Sequence, residues 1–284
     1  MRIRDYSLPS GWYPRDSSEI SGKISRFISD FDRQGRVSRA AIAPHAGWYY
    51  CGRLAARSVS CLEADADTVT VIGGHLPAGA PALFAMEDAV RTPFDPMPVD
   101  DELRSVLIKE LDGAEDRFQD NTVEVLLPMV RFFFPKARLL WLRLPAETAS
   151  FKAGKILAKA AAGLNRKINV LASTDLTHYG RNYGFSPQGS GEKALKWVRE
   201  INDFYFIKAV ESGSCEDILF HAQKDHSACS AGAVLGAMGF AEEMGIPCAR
   251  LLEYATSADT GDNAGDEAVV PDSFVGYAAF SFCG

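Results

Sequence analysis

Short apolar runs rich in aliphatic and β-branched residues recur along the chain: Ala40–Ala43, Thr68–Ile72, Arg138–Leu144 and Ile168–Ala172. Each is bounded by turn residues and reads as a buried strand. A shorter run at Leu83–Met86 reads as another strand, and Ala249–Ala255 and Ser273–Phe282 as a pair. Helical spacing fills the intervals. Ile20, Ile24, Phe27, Ile28 and Phe31 fall on one face of a helix that follows Ser17-Ser18. Further helices are predicted over Arg53–Leu62, Glu102–Leu111 with Asp100 as N-cap, Val123–Phe133, Ala149–Leu164, Glu192–Ser212, Cys215–Gln223 and Cys229 or Ser230 to Met244. Strands alternating with helices imply an α/β fold. The expected architecture is one domain over residues 1–284, with a central, mostly parallel mixed sheet flanked by helices.

The ends of these strands carry the chemistry. Three of the five histidines stand just beyond an apolar run: His45 after Pro44, His75 after Gly73-Gly74, and His178 after Ser173-Thr174-Asp175-Leu176-Thr177. In an open α/β sheet, ligands bind in the crevice beyond the carboxyl ends of the strands. Histidines delivered there from separate strands can meet at one point, and two imidazoles are a common beginning of a divalent-metal site. Asp175 and His178 are three residues apart, which places them on one face of a helical turn, where the carboxylate would orient the imidazole. Ser173, Thr174 or Asp175 would equally serve as an N-cap there. Trp48, Tyr49 and Tyr183 are candidate pocket walls, and Arg91 or Arg181 candidate anion contacts.

Composition narrows the class. Apolar residues make up 47% and charged residues 24%, the balance of a globular protein with a large core. A formal net charge of −7 argues against a nucleic-acid partner, which would need a basic surface. No apolar stretch has the length of a membrane span, and Met1–Tyr6 lacks the apolar core of a leader, so the expected location is cytoplasmic. The six cysteines form no C-x-x-C pair and are expected to be thiols. Cys229 stands apart, because a thiol among small residues at a helix start has a lowered pKa and can ligate metal. The acidic stretch Asp259–Glu267 reads as a solvated turn region that lacks the spacing of an EF-hand. Neither a G-x-G-x-x-G nor a P-loop pattern occurs, so no organic cofactor is inferred.

The segments Pro44-His45-Ala46-Gly47-Trp48-Tyr49-Tyr50-Cys51-Gly52, Gly74–Pro77, Arg91-Thr92-Pro93, Ser173–Gly180 and the surroundings of Cys229 together resemble the Memo family. Gly11-Trp12-Tyr13 and Tyr277-Ala278-Ala279 extend the resemblance over nearly the whole length. It implies a fold like that of the class III extradiol dioxygenases, which use non-haem Fe(II). It further implies metal ligation by His45, His75 and Cys229, with Fe(II) foremost and copper or zinc as other occupants. His178 would then be the base, with Asp175 beside it, acting on a small-molecule substrate. Trp48, Tyr49, Glu124 and Asn121 would contact that substrate, and a radical-SAM protein would be a pathway partner. Two departures stand out. Many relatives have Glu-His-Ser-x-Glu where this chain has Asp120-Asn121-Thr122-Val123-Glu124, and asparagine cannot shuttle a proton. Gly73-Gly74-His75 is also shorter than the Gly-Pro-Ser-His-His common in relatives. The leading expectation is a metal-dependent, dioxygenase-like oxidoreductase. The alternatives are a non-catalytic module that binds a phosphotyrosine peptide or other anion in the same cleft, and a zinc-dependent hydrolase.

Overall fold

A computed structural model describes residues 1–260 and 270–284. Its main sheet has nine strands. In spatial order, eight of them are His178–Gly180, Ser273–Cys283, Ala40–Ala43, Ile168–Ser173, Thr68–Leu76, Arg138–Pro145, Leu83–Phe84 and Ala114–Glu115. Cys248–Thr256 also pairs with Ser273–Cys283. The four strands from Ala40–Ala43 to Arg138–Pro145 are mutually parallel, and antiparallel pairings flank them on both sides. The longest parallel run is therefore at the centre, where helices cover both faces, and the edge pair Leu83–Phe84 and Ala114–Glu115 is parallel as well.

Alternation within these strands shows why both faces need cover. Ile42, Ile72, Leu140, Leu142, Val170 and Ala172 join one apolar cluster, with Leu157, Val234 and Phe240 from helices. Ala41, Ala43, Val69, Val71, Leu139, Trp141 and Leu171 join a second cluster on the opposite face, with Ile20, Ile24, Ala55, Val59 and Val130. Side chains of successive strand residues point to opposite faces, so a run apolar at every position forms two cores. The helix Ala231–Glu243 is buried at every residue from Ala231 to Ala241. It is apolar around its whole circumference, as a helix sealed between sheet and neighbouring helices must be.

Several elements differ from the sequence expectation. The helix expected from Arg53 begins at Trp48 and ends at Ser60. Val123–Phe133 divides into Asn121–Glu124 and Leu127–Phe133, the second with Pro128 in its first turn, where a missing N–H costs nothing. Glu192–Ser212 is interrupted by a π-helical stretch at Val198–Asn202. Asp175 to Thr177 form no helical turn, and His178 opens the short edge strand His178–Gly180 instead. Ile3–Arg4 pairs with Ala89–Val90 in a separate small sheet that no apolar run announced. Most of the acidic stretch Asp259–Glu267 lies outside the described residues. No helix among the described residues is long and apolar enough to cross a membrane.

Candidate metal centre

The strand order decides where the histidines meet. Ile168–Ser173 lies between Ala40–Ala43 and Thr68–Leu76, parallel to both, with Ser173 level with Ala43 and Ala172 level with Ile72. Three neighbouring carboxyl ends therefore present His45, the segment Ser173-Thr174-Asp175 and His75 side by side. Cys229 comes from beneath, just before Ser230, the N-cap of Ala231–Glu243. One donor atom from each of His45, His75 and Cys229 lies within 4.8 Å of the other two.

Each ligand is held by a second contact. The His45 backbone N–H donates to Asp175 Oδ1 at 2.7 Å, and its ring Nδ1 lies 2.8 Å from Ser173 Oγ. Its Nε2 is 3.2 Å from Cys229 Sγ. His75 Nδ1 lies 2.9 Å from Asp120 Oδ2. A carboxylate only accepts, so this Nδ1 carries a proton and Nε2 is the nitrogen left to face the sulfur or a metal. The two rings are nearly perpendicular, at 88°, with centroids 5.0 Å apart. Cys229 Sγ accepts the Asp175 backbone N–H at 3.3 Å. An outer partner on Nδ1 that fixes tautomer and ring orientation is the arrangement found around ligating histidines.

The charges agree with ligation. Burial alone would raise the Cys229 thiol, but the His45 and His75 rings outweigh it and hold the thiol well below its ordinary range. Burial opposes charging of His75, yet Asp120 and the Cys229 sulfur push its pKa up to about 10. His45 is raised against the same burial by Cys229 and Asp175. Burial raises the Asp175 carboxyl, partly offset by His45. Sulfur and rings thus favour each other's charged forms, and a dication would take the place of the protons that the rings hold on the sulfur side.

The signature of the Memo-like protein family matches residues 4–281. The chain belongs to the Memo family. A MEMO1 family protein of Thermococcus onnurineus is 27% identical over 297 residues, covering 99% of each chain. One from Pyrococcus abyssi is 28% identical over 298 residues, covering 98% of each. An uncharacterized protein of Escherichia coli K12 with a solved structure overlaps at a TM-score of 0.49 and 13% identity, over 84% of this chain and 98% of its own.

In this Memo chain His45 and His75, two of the three metal-ligand candidates, line a pocket of about 760 Å³, lined also by Asn121, Asp175 and His178 and walled by Trp12, Tyr50, Tyr183 and Tyr277. A cleft of about 830 Å³ lined by Asp65, Lys136, Arg138 and Lys167 holds none of the donors. Those residues sit at the amino ends of the strands, away from the crevice that α/β sheets use.

His178 takes its orientation from a different source than the one expected. Its Nδ1 lies 3.1 Å from the Leu176 carbonyl, and its ring packs edge-on against Tyr183 at 5.0 Å. A carbonyl accepts, so Nδ1 carries the proton and Nε2 is the basic nitrogen. Asp175 instead serves His45. Asn121 donates to the His45 carbonyl at 2.9 Å.

Three other candidates lie off the pocket wall. Trp48 is buried in the second apolar cluster and donates its indole N–H to the Val125 carbonyl at 2.9 Å. Tyr49, one residue further along the same helix, points outward and is 66% exposed. Glu124 is buried and fastens the N-terminal segment, accepting from the Ser7 N–H at 2.7 Å and the Tyr13 hydroxyl at 2.8 Å. Its effect on the pocket is indirect, since the clamped segment carries Trp12 to the rim. Arg91 pairs with Asp5 at 2.7 Å and does not line the pocket, nor does Arg181. Asp120, which the structure makes the N-cap of Asn121–Glu124, enters the sequence reading only as part of that segment, and Trp12 and Tyr50 enter it only within the segments that carry the resemblance, with no site role.

Proposed function

We propose that this Memo protein is a metal-dependent oxidoreductase, dioxygenase-like in type, with Fe(II) held by His45, His75 and Cys229 and a small molecule bound in the adjoining pocket. The observation that carries it is the donor set: two imidazoles, each anchored through Nδ1, and one thiolate, with donor atoms within 4.8 Å of one another and both imidazoles lining that pocket. Three protein ligands leave positions for further ligands, and bound iron would supply one-electron redox chemistry with dioxygen. His178 supports proton transfer at Nε2, and the aromatic walls exclude water and hold an apolar portion of the substrate.

The thiolate also suits Cu(I) and zinc, and zinc in a three-ligand site favours hydrolysis by a bound water. An anionic peptide fits less well. Among the described residues that line the pocket there is neither lysine nor arginine, the side chains that recognise phosphate.

Anaerobic purification followed by metal analysis tests the proposal. Stoichiometric iron, with oxygen uptake that His178→Ala reduces by about a hundredfold, supports it. Stoichiometric zinc without oxygen uptake replaces it with the hydrolase, and a chain that binds none of the three metals removes both.

A further inference from the structure

His75 is the strained member of the site. Its φ of 58° lies in the left-handed region, which a residue with a Cβ enters only at a cost. Neither of the two glycines before it has a positive φ. Gly73 is there for close approach: a Cβ would stand 2.2 Å from Thr122 Oγ1 and 3.1 Å from Arg143 Cγ. The surroundings must therefore hold His75 in a conformation it would not choose.

Arg143 is the residue placed to do so. It lies on Arg138–Pro145, level with Gly73, and its side chain is 3% exposed. Nε and Nη2 donate to the Gly74 carbonyl at 3.0 and 2.9 Å, which fixes the peptide unit leading into His75. Nη2 also lies 3.2 Å from Asp120 Oδ2, the atom that receives His75 Nδ1. Nη1 pairs at 3.2 Å with Asp116, whose side chain is fully buried and takes the Trp141 indole N–H at 2.8 Å. One planar fork thus grips the backbone before the ligand and the carboxylate behind its ring. Lysine, a point donor, cannot do both.

We infer that Arg143 is a positioning residue for the metal: the chain Asp116–Arg143–Asp120 sets the ring of His75 at its ligating angle against Cys229 and His45. The inference rests on the metal reading given above. Outer partners of ligating histidines are worth about 10–100-fold in metal affinity.

Co(II) titration of the full chain is the test, read by absorbance under anaerobic conditions. Arg143→Gln is expected to weaken Co(II) binding by about 10–100-fold and to shift the ligand-field bands, which report geometry. The thiolate charge-transfer band should persist, because Cys229 is untouched. Arg143→Lys should fall between Arg143→Gln and the unaltered chain. Arg104→Gln is the matched control. Arg104 is equally buried and bonds the Ala85 and Glu87 carbonyls, away from the site. If it weakens Co(II) binding as much as Arg143→Gln, the loss is general destabilisation and the inference falls. It also falls if folded Arg143→Gln binds Co(II) within twofold of the unaltered chain and keeps its spectrum. Should Arg143→Gln fail to fold, Asp120→Asn probes the same chain from the other side, with the same expected loss and the same overturning result. An unaltered chain that takes up no Co(II) overturns the metal reading, and this inference with it.

Discussion

At the scale of single residues, the buried titratable groups around the site give the sharpest tests. Asp203 is fully buried and accepts from the Thr177 N–H at 3.1 Å and the Tyr254 hydroxyl at 2.7 Å. Burial pushes its carboxyl from 3.8 up to about 6, with the hydrogen bonds from Thr177 and Tyr254 only partly opposing. The folded chain therefore holds this proton more tightly than the unfolded chain. The associated stability is complete below about pH 4 and is lost as the pH rises through about 6, an effect of about 3 kcal/mol. Asp203→Asn is neutral throughout, so urea unfolding should show a flatter pH dependence for it than for the unaltered chain between about pH 4 and 7. Parallel curves would assign the effect elsewhere. The positions of His45 and His75 were legible at this scale, because strand ends are visible in the apolar pattern. Cys229 was legible as a possible ligand from its helix-start setting, but its place beside His45 and His75 came only with the family resemblance. Trp48 and Tyr49 show the limit: adjacent residues on a helix face different ways, and which of them meets a pocket depends on what packs against that helix.

Element by element, glycine marks the closest contacts. Gly154 on Ala149–Gly163 faces Ala231–Glu243 so closely that a Cβ would lie 1.9 Å from the Gly236 carbonyl oxygen and 2.7 Å from the Phe240 nitrogen. Intrinsic propensity favours Gly→Ala in a helix by about 1 kcal/mol. Here the neighbours are backbone and cannot yield, so overpacking wins and Gly154→Ala should destabilise by about 2–3 kcal/mol in a denaturant titration. A stabilised variant would mean that the two helices separate at no cost. Glu124 plays the corresponding part for the N-terminal segment. It sits on the short helix Asn121–Glu124 and receives Ser7, Leu8 and Tyr13, with Arg15 3.9 Å away. Glu124→Ala should cost about 3 kcal/mol and expose residues 1–15 to limited proteolysis, because buried donors and a nearby guanidinium lose their acceptor. An unchanged cleavage pattern would show that the strap is held by other contacts. Helix and strand existence followed from periodicity. The π-helical interruption at Val198–Asn202 and the split near Pro128 did not, because each answers to tertiary packing rather than to local spacing.

For the whole molecule, a metal held by His45, His75 and Cys229 would couple folding to ligation. Its donors come from the ends of two strands and from the segment before a helix, so the unfolded chain offers no assembled site. A metal that binds only the folded chain stabilises it by about 2.7 kcal/mol at a free concentration of 100 Kd. For a chain of this size that is a rise in Tm of several degrees. Differential scanning calorimetry should show the rise with metal, its reversal by chelator and its absence in Cys229→Ser. A metal-induced rise that survives in Cys229→Ser would place the ion elsewhere. Acidification should also release the metal, since His75, with its pKa at about 10, and the Cys229 thiolate both exchange metal for protons.

By itself, the sequence determined the α/β class, the strands apolar on both faces, and the two histidines standing just past their carboxyl ends. These are local properties, written in spacing and in turn residues. Only the tertiary structure decided that Ile168–Ser173 enters between Ala40–Ala43 and Thr68–Leu76, that Asp175 serves His45 rather than His178, and that Arg143 reaches the peptide before His75. Strand order and the partner of a buried charge are settled by which surfaces are left to cover once the chain has collapsed. No window of neighbouring residues contains that information.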